Sequence, residues 1–191
     1  MQLISTLRKK MKTARKNLPQ SFQSDAAIAI YKKFMQLNLL KEKNNIAGYL
    51  SVNGEVDTLL FQQAIWHAKK NYFLPVMTGT PDEKLLFHPY NSATKTQHVN
   101  FNIIEPVPSD PILPQQLDLV LVPLVAFDEK CQRIGMGKGF YDKTFAFRKN
   151  YPSPLLIGLA YEMQRTHQLK LNDWDVALDI IITEQHVYYK K

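Results

Sequence analysis

Residues 46–77 read IAGYLSVNGEVDTLLFQQAIWHAKKNYFLPVM and decide the fold. Apolar residues dominate both ends of this stretch, which predicts buried strands at Ile46–Val52 and Tyr72–Met77. The residues between them predict a helix over Thr58–Lys70. Strand, helix and strand in this order predict a parallel crossover, the building unit of an α/β sheet.

Further elements are predicted on both sides of this crossover. Pro19 separates two N-terminal helices, Gln2–Lys16 and Ser21–Leu39, and a proline-rich connection covers Ile104–Pro114. The other predicted elements are the strands Leu85–Tyr90, Leu117–Val122, Leu155–Ala160 and Ile180–Thr183, and a glycine loop with its helix at Met136–Lys149. We predict an α/β fold: one three-layer α/β/α domain over residues 1–191, with a mainly parallel central sheet and an N-terminal helical region.

The composition is typical of a soluble enzyme. A chain of 191 residues with 45% hydrophobic content can bury one substantial core. No apolar run approaches the roughly 20 residues that cross a bilayer, and the N-terminus lacks the apolar segment of a signal peptide. The single cysteine, Cys131, agrees with a reducing compartment, so we expect a cytoplasmic protein that does not bind membranes. Its histidines are scattered singly, which gives zinc catalysis no support.

The formal charge of +7 is concentrated at the N-terminus. Six cations precede the first acid, Asp25: Arg8, Lys9, Lys10, Lys12, Arg15 and Lys16. Such a patch attracts polyanions. The run lacks interleaved aromatic residues and the chain shows no recognisable nucleic-acid-binding motif, so we expect a small polyanion rather than nucleic acid. Two alternatives are a solvated helix face and a basic segment that mimics a mitochondrial transit peptide.

A glycine-rich loop predicts where that anion binds. Residues 133–142 read RIGMGKGFYD, with glycines at alternate positions and cations at Arg133 and Lys138. Glycines leave backbone N–H groups uncovered, and a helix that begins after the loop directs its N-terminus at a bound phosphate. The loop is not a P-loop, because Lys138 precedes a glycine, and its third glycine comes one residue early for a dinucleotide fingerprint. A plain turn between strand and helix is the alternative.

This loop resembles the signature of the 5-formyltetrahydrofolate cyclo-ligase family, also called methenyltetrahydrofolate synthetases. The similarity extends over nearly the whole chain, in the family's order, to residues 48–58 (GYLSVNGEVDT), 121–128 (LVPLVAFD) and 174–178 (WDVAL). Leu7 and Arg8 match the family's N-terminal Leu-Arg, which favours a mature N-terminus over a transit peptide. The frequent family lysine three residues before that pair is Ile4 in this chain.

The resemblance implies a reaction. It is the ATP- and Mg²⁺-dependent conversion of 5-formyltetrahydrofolate to 5,10-methenyltetrahydrofolate, with release of ADP and phosphate, through a phosphorylated formyl intermediate attacked by N10. The substrates would be ATP and the folate, and the basic surface favours the added negative charge of a polyglutamate tail. A monomer is expected, because the sequence shows no heptad or obvious interface pattern.

The resemblance also implies residue roles at the nucleotide. Arg133 and Lys138 would be catalytic, because they neutralise charge that grows during phosphoryl transfer. The implied ATP-binding residues are Arg8, Arg133, Gly135, Met136, Gly137, Lys138, Gly139, Phe140 and Tyr141. Asp142 and Asp175 would bind Mg²⁺, and Asp175 would have to fold back over the sheet edge to do so. An acid in the first turn of a helix also complements the macrodipole, which is the alternative for Asp142.

At the folate, the resemblance implies that Glu55 binds the pterin, because a carboxylate accepts paired hydrogen bonds from ring N–H and amino groups. The full set of implied folate-binding residues is Leu50, Glu55, Met136, Gly137, Lys138, Gly139 and Phe140. Core packing is the alternative for Leu50, Met136 and Phe140, and an ordinary loop acid for Glu55. Trp174, beside Asp175, is expected to pack rather than to stack on a ligand.

Two other classes of function remain open on the sequence. A non-catalytic nucleic-acid or anion-binding module explains the positive charge. It does not explain the Tyr141-Asp142 pair, or the acids Glu55 and Asp175, which would repel a phosphate backbone unless a metal intervened. A kinase or ligase with a different acceptor keeps the ATP site. In α/β sheets, ligands bind beyond the carboxyl ends of the strands, and Glu55, Asp128 and Tyr161 each follow a predicted strand.

Overall fold

The computed structural model describes residues 2–77, 84–99, 103–107, 109–169 and 172–191. The α-helices in these residues are α1 (Gln2–Lys16), α2 (Gln20–Gln36), α3 (Leu59–His67) and α4 (Phe140–Thr144). The strands are β1 (Asn45–Ala47), β2 (Asn71–Met77), β3 (Leu85–Pro89), β4 (Thr96–Val99), β5 (Ile103–Pro106), β6 (Leu119–Pro123), β7 (Ala126–Phe127), β8 (Arg133–Ile134), β9 (Leu155–Leu159), β10 (Ile180–Ile182) and β11 (Val187–Tyr189). Short 3₁₀-helices cover Leu39–Lys41, Pro114–Gln116, Ala146–Lys149 and Glu162–Gln164.

A central sheet of seven strands confirms the predicted α/β fold. Its order is β11-β10-β9-β6-β1-β2-β3, and every pairing from β10 to β2 is parallel. The edge strands β3 and β11 are antiparallel to their neighbours. The predicted crossover is present, because β1 and β2 flank α3 in the chain and pair in parallel, with Ile46 opposite Tyr72.

The sheet is covered on both faces, which gives the predicted three layers. On one face, the strands pack against Ala27, Ile30 and Phe34 of α2 and against Phe61 and Ile65 of α3. On the other face, the core includes Val120, Ile181, Phe145 and Phe127, and residues of α4 pack at its margin. No helix in the described ranges is long and apolar enough to cross a bilayer.

Helix α1 has the predicted bounds and lies against a small sheet formed by β7 and β8. Ile4, Leu7 and Met11, spaced at helical intervals, pack on Ala126 and Ile134 of that sheet. The apolar stripe of α1 therefore fixes the helix beside the glycine loop, which directly follows β8.

Several predicted elements differ from the structure. The first strand ends at Ala47 rather than Val52, because residues 48–58 fold back on themselves and the Thr58 hydroxyl donates to the Tyr49 carbonyl at 2.6 Å. The helix after the glycine loop is α4 followed by a separate 3₁₀ turn rather than one helix to Lys149. The β4–β5 and β7–β8 pairs and strand β11 were not predicted, and β5 lies partly in the expected proline-rich connection.

Gly48 is required by the packing where β1 ends. A Cβ atom at Gly48 would lie 2.0 Å from the Tyr72 hydroxyl oxygen. We therefore expect Gly48→Ala to lower the free energy of unfolding by about 1–3 kcal/mol, because the Tyr72 ring must move within a packed core. Urea unfolding followed by circular dichroism measures this change. Tyr72→Phe removes the closest atom, so the double variant should recover part of the loss. An equal loss in both backgrounds would contradict the steric explanation.

Candidate active site

The glycine loop connects β8 to α4, and its conformation depends on glycine. Gly137 has φ +106° and Gly139, the residue before α4, has φ +72°. Both values lie in the left-handed region, where residues with a Cβ are strained. Met136, Gly137 and Lys138 are exposed, so the apex of the loop is open to a ligand.

Arg8 reaches this loop from α1. Its Nε donates to the Gly135 carbonyl at 2.8 Å, and a Cβ at Gly137 would lie 3.4 Å from its guanidinium carbon. One hydrogen bond uses only part of the donor fork of an arginine. The structure therefore brings Arg8 and the glycine loop together, and among the described residues its other guanidinium donors remain available beside the loop's apex, while its contact with ATP stays a prediction.

The two cations within the loop sequence differ sharply in environment. Arg133 is buried: its Nη2 lies 2.9 Å from Asp142 Oδ1, and its guanidinium carbon lies 5.7 Å from the centre of the Tyr141 ring. Lys138 is exposed and has no hydrogen bond or ion pair to any residue that the structure describes. Arg133 thus braces α4 from beneath the loop, whereas Lys138 is a cation at its surface. Contact of either residue with phosphate remains a prediction.

Asp142 and Asp175 lie in neighbouring segments. The backbone N–H of Val176 donates to Asp142 Oδ1 at 3.1 Å, which folds the 172–176 segment back against α4 as expected. Asp175 Oδ2 accepts from the Asn172 N–H at 2.8 Å. Each carboxylate keeps a second oxygen, and Mg²⁺ commonly uses one or two protein carboxylates with waters and phosphates. The donor chemistry therefore fits Mg²⁺, although no group of three or more His, Cys, Asp or Glu side chains gathers in the described residues.

Glu55 lies beyond the carboxyl end of β1 in a confined setting. Its side chain is 8% exposed, its Oε2 accepts from the Val52 N–H at 3.2 Å, and its Oε1 lies 3.5 Å from Arg15 Nη2. Burial raises the pKa of the Glu55 carboxyl, and the Arg15 guanidinium opposes that rise. A carboxylate has about four lone-pair positions, so these contacts leave room for a ligand's donors.

Tyr141 and Tyr161 connect the surroundings of Glu55 to the rest of the site. The Tyr161 hydroxyl donates to the Glu55 carbonyl at 3.4 Å. Burial, followed by the nearby Glu55 carboxylate, raises the pKa of Tyr141, which belongs to α4. Tyr141 of α4 therefore lies within electrostatic range of the Glu55 carboxylate, in keeping with the convergence of loops beyond parallel strands.

A polar cavity of about 240 Å³ opens beside Glu55. Its lining comes from the 51–57 loop, the start of α2 and Tyr161. A larger groove of about 680 Å³ lies between α2 and α3 and contains none of the predicted site residues. We place the site at the smaller cavity and the glycine loop, because helix α1 contacts both: Arg8 binds the loop, and Arg15 contacts Glu55, which lines the cavity.

The three apolar residues predicted to contact the folate differ in how far they are buried. Leu50 and Phe140 are partly buried against opposite core clusters, so core packing accounts for part of each side chain. Met136 is 49% exposed at the apex of the loop. The expectation that Trp174 packs is wrong, because its side chain is 66% exposed beside Asp175.

Arg15 is the site residue that sequence reasoning missed. It was grouped with the basic N-terminal cluster, yet it is 1% exposed and contacts Glu55. Its position was a usable signal, because Ile4, Met11 and Arg15 lie on one face of α1 at helical spacing. Lys9, Lys10 and Lys16 are exposed, which fits the solvated-face alternative for those three residues.

The fold is an α/β fold, and the candidate site combines an exposed glycine loop with the confined acid Glu55. A model of the 5-formyltetrahydrofolate cyclo-ligase family matches residues 2–184. The 5-formyltetrahydrofolate cyclo-ligase of Haemophilus influenzae is 36% identical over 179 residues, which cover 92% of this chain and 95% of that protein. The enzyme of the same name from Escherichia coli K12 is 35% identical over 147 residues, covering 76% and 80%.

Two solved structures have the same fold as this chain. The NMR structure of Aquifex aeolicus 5,10-methenyltetrahydrofolate synthetase superposes with a TM-score of 0.84 at 29% identity, covering 98% of this chain and 92% of that one. The synthetase from Mycoplasma pneumoniae shares the fold, with a TM-score of 0.76 at 24% identity and coverage of 95% and 98%. The chain belongs to the 5-formyltetrahydrofolate cyclo-ligase family.

Proposed function

We propose that this protein closes 5-formyltetrahydrofolate to 5,10-methenyltetrahydrofolate at the expense of ATP, with release of ADP and phosphate. Membership of the cyclo-ligase family supports the folate conversion. The observation that carries the ATP requirement is the Arg8-supported glycine loop, whose apex is exposed and whose backbone needs glycine at Gly137 and Gly139. An anion site beside an acid that can bind a pterin suits a reaction between a nucleotide and a folate.

The chemistry explains why such a site needs amides and cations. A formamide oxygen is a poor leaving group, so ATP phosphorylates it, and ADP departs. N10 then attacks the activated carbon, the ring closes, and phosphate leaves with the former formyl oxygen. Phosphoryl transfer of this kind depends on positioning and charge stabilisation. No covalent protein intermediate is required.

The residues of the loop divide this work. The backbone N–H groups around Gly135, Gly137 and Gly139 bind phosphate oxygens. Arg8 adds guanidinium donors from α1, and Lys138 places a positive charge where negative charge accumulates during transfer. Arg133 acts at the base of the loop, where it holds Asp142 and α4 in place.

Asp142 and Asp175 are the residues that would hold Mg²⁺. The ion would neutralise phosphate charge when it is bound with the nucleotide. The Val176 N–H and Arg133 both contact Asp142 Oδ1, so they orient that carboxylate. Asn172 orients Asp175 in the same way.

The direct test is product formation. Purified protein mixed with ATP, Mg²⁺ and 5-formyltetrahydrofolate should develop the ultraviolet absorbance of the methenyl product, together with stoichiometric ADP and phosphate. ATP hydrolysis without that absorbance would point to a kinase or ligase with another acceptor. Neither signal in folded protein would refute the proposal.

Two matched variants separate folate binding from ATP chemistry. Glu55→Gln should raise the KM for folate and preserve nucleotide binding, because a single amide oxygen cannot replace a carboxylate that accepts paired hydrogen bonds. Asp142→Asn should raise the Mg²⁺ requirement and slow phosphoryl transfer, with folate affinity largely kept. Isothermal titration of each variant with ATP–Mg²⁺ and with folate tests the pairing. Identical defects towards both ligands would show that the roles are wrongly divided.

A further inference from the structure

Arg15 lies at the C-terminal end of α1 and is buried against two loops. Its Nε donates to the Asn53 carbonyl at 3.2 Å, its Nη1 donates to the Leu124 carbonyl at 3.0 Å, and its Nη2 faces Glu55 Oε1 at 3.5 Å. Asn53 and Glu55 follow β1, and Leu124 follows β6. The planar guanidinium has its donors in a fixed fork, so one side chain can satisfy acceptors on separate loops.

We infer that Arg15 is a positioning residue for the folate, because it holds the Glu55 carboxylate in place as an anion and fixes the loop that carries it. The inference rests on the proposed function, in which Glu55 binds the pterin. It assigns a role within the active site to a residue at the far end of α1 from Arg8.

The loop and the helix end are packed too closely for Arg15 to be incidental. Gly54 has φ +73°, and a Cβ on it would lie 3.0 Å from the Arg15 carbonyl oxygen. The backbone of the 51–57 loop therefore contacts the backbone of α1 as well as the Arg15 side chain. This contact would set the position of the Glu55 carboxylate, and therefore the position of a pterin bound to it.

The charges around Glu55 make Arg15 its principal partner. Lys12 of α1 adds a weaker favourable charge, and Asp57 lines the same cavity. The neighbouring Tyr49, Tyr141 and Tyr161 have pKa values raised by burial, that of Tyr161 to about 12, so they are neutral at physiological pH. Arg15 is thus the cation in contact with a carboxyl whose pKa burial has already raised.

Helix α1 therefore serves both substrates. Arg8 contacts the glycine loop and Arg15 contacts the loop of Glu55, about two helical turns or roughly 10 Å further along the helix. Ile4, Leu7 and Met11 pack the same helix onto the β7–β8 sheet, which fixes it relative to both loops. One rigid element thus sets the distance between the phosphate site and the folate acid.

A double-mutant cycle tests this role. Arg15→Met removes the charge and keeps the length of the side chain, and it should raise the KM for 5-formyltetrahydrofolate about tenfold, with the KM for ATP changed by less than about twofold. In the Glu55→Gln background, the same substitution should raise the folate KM far less. Multiplicative effects of the two substitutions would overturn the inference.

The pH dependence separates positioning from a merely structural role. Loss of Arg15 should raise the pKa of Glu55 further. As the pH is lowered, the folate KM of Arg15→Met should therefore begin to rise at a higher pH than the folate KM of the natural protein. Arg15→Lys keeps a cation and should retain nearly the natural pH profile. An unchanged profile in Arg15→Met would overturn the inference.

A control and a substrate-free measurement complete the design. Arg148 forms another largely buried ion pair, with Asp179, so Arg148→Met should destabilise the fold and leave the folate KM and its pH profile unchanged. Carbon-13 NMR of glutamate-labelled protein, with Glu55 assigned by Glu55→Gln, should show a higher pKa for Glu55 in Arg15→Met. This titration needs no turnover, so an unchanged pKa refutes the role of Arg15 even if the proposed reaction fails. If Arg15→Met does not fold, Arg15→Lys and its Glu55→Gln double variant decide the cycle.

Discussion

Replacing Gly137 with valine should abolish cyclisation, a loss of more than about 1,000-fold. Gly137 has φ +106°, which a β-branched residue cannot adopt without strain. Its added Cβ would also lie 3.4 Å from the Arg8 guanidinium carbon, so further side-chain atoms would occupy the space beside the loop apex. The measurement is steady-state formation of the methenyl product at saturating ATP and folate.

The matched variant is Gly137→Ala, which imposes the same backbone strain with less bulk. It should retain more activity than Gly137→Val, and its loss of affinity for ATP should be smaller than that of Gly137→Val. Gly137 is exposed, so both variants should keep the circular dichroism spectrum of the natural protein. Near-normal turnover of a folded Gly137→Val protein would refute the phosphate-binding role of the loop.

The parts of this fold that the sequence predicted are those set by local pattern. Helix α1 has its predicted bounds because the spacing of Ile4, Leu7 and Met11 is helical, and the glycine loop is recognisable because its conformation needs glycine at φ +106° and +72°. Strand β6 is evident as a run of apolar residues that are buried on both faces.

The elements that were missed have no such pattern. Strands β7 and β8 have two residues each, too short to show a period, and the turn between them depends on Asp128, whose carboxylate accepts backbone N–H groups of Lys130, Gln132 and Leu169. Strand β1 was predicted too long for the opposite reason. Residues 48–52 are apolar enough for a strand, but they turn away to form the loop of Glu55.

In the candidate site, too, local sequence patterns could be recognised and tertiary contacts could not. The loop glycines, Lys138 and Asp142 could be singled out because alternate glycines with a lysine, followed closely by an aspartate, form an unusual local pattern. Arg15 was missed because a cation within a basic run is typical of a solvated face. Its place on the apolar face of α1 hinted at burial, but the contacts with Asn53, Leu124 and Glu55 that bury it are tertiary. Burial of a charge is a property of the neighbours that surround it, and those neighbours lie far away in the sequence.

Replacing Lys138 with alanine should slow ATP-dependent cyclisation by about 100-fold or more, which corresponds to about 2.7 kcal/mol of transition-state stabilisation. Lys138 is exposed and makes no hydrogen bond or ion pair with the described residues, so its removal should leave the fold and its stability unchanged. The loss should therefore fall on kcat and on nucleotide affinity. Single-turnover rates at saturating folate separate the two.

The control for Lys138→Ala is Lys32→Ala, which removes the same charge from an exposed position on α2, outside the glycine loop. A general effect of net charge on encounter with ATP would slow both variants and would diminish at high salt, because salt screens exposed charges. A role in transfer should slow Lys138→Ala alone and persist at high salt, since the charge acts at close range on the phosphoryl group. Unchanged rate and nucleotide affinity in Lys138→Ala would remove Lys138 from the mechanism and leave Arg8 and the loop amides to bind the phosphates.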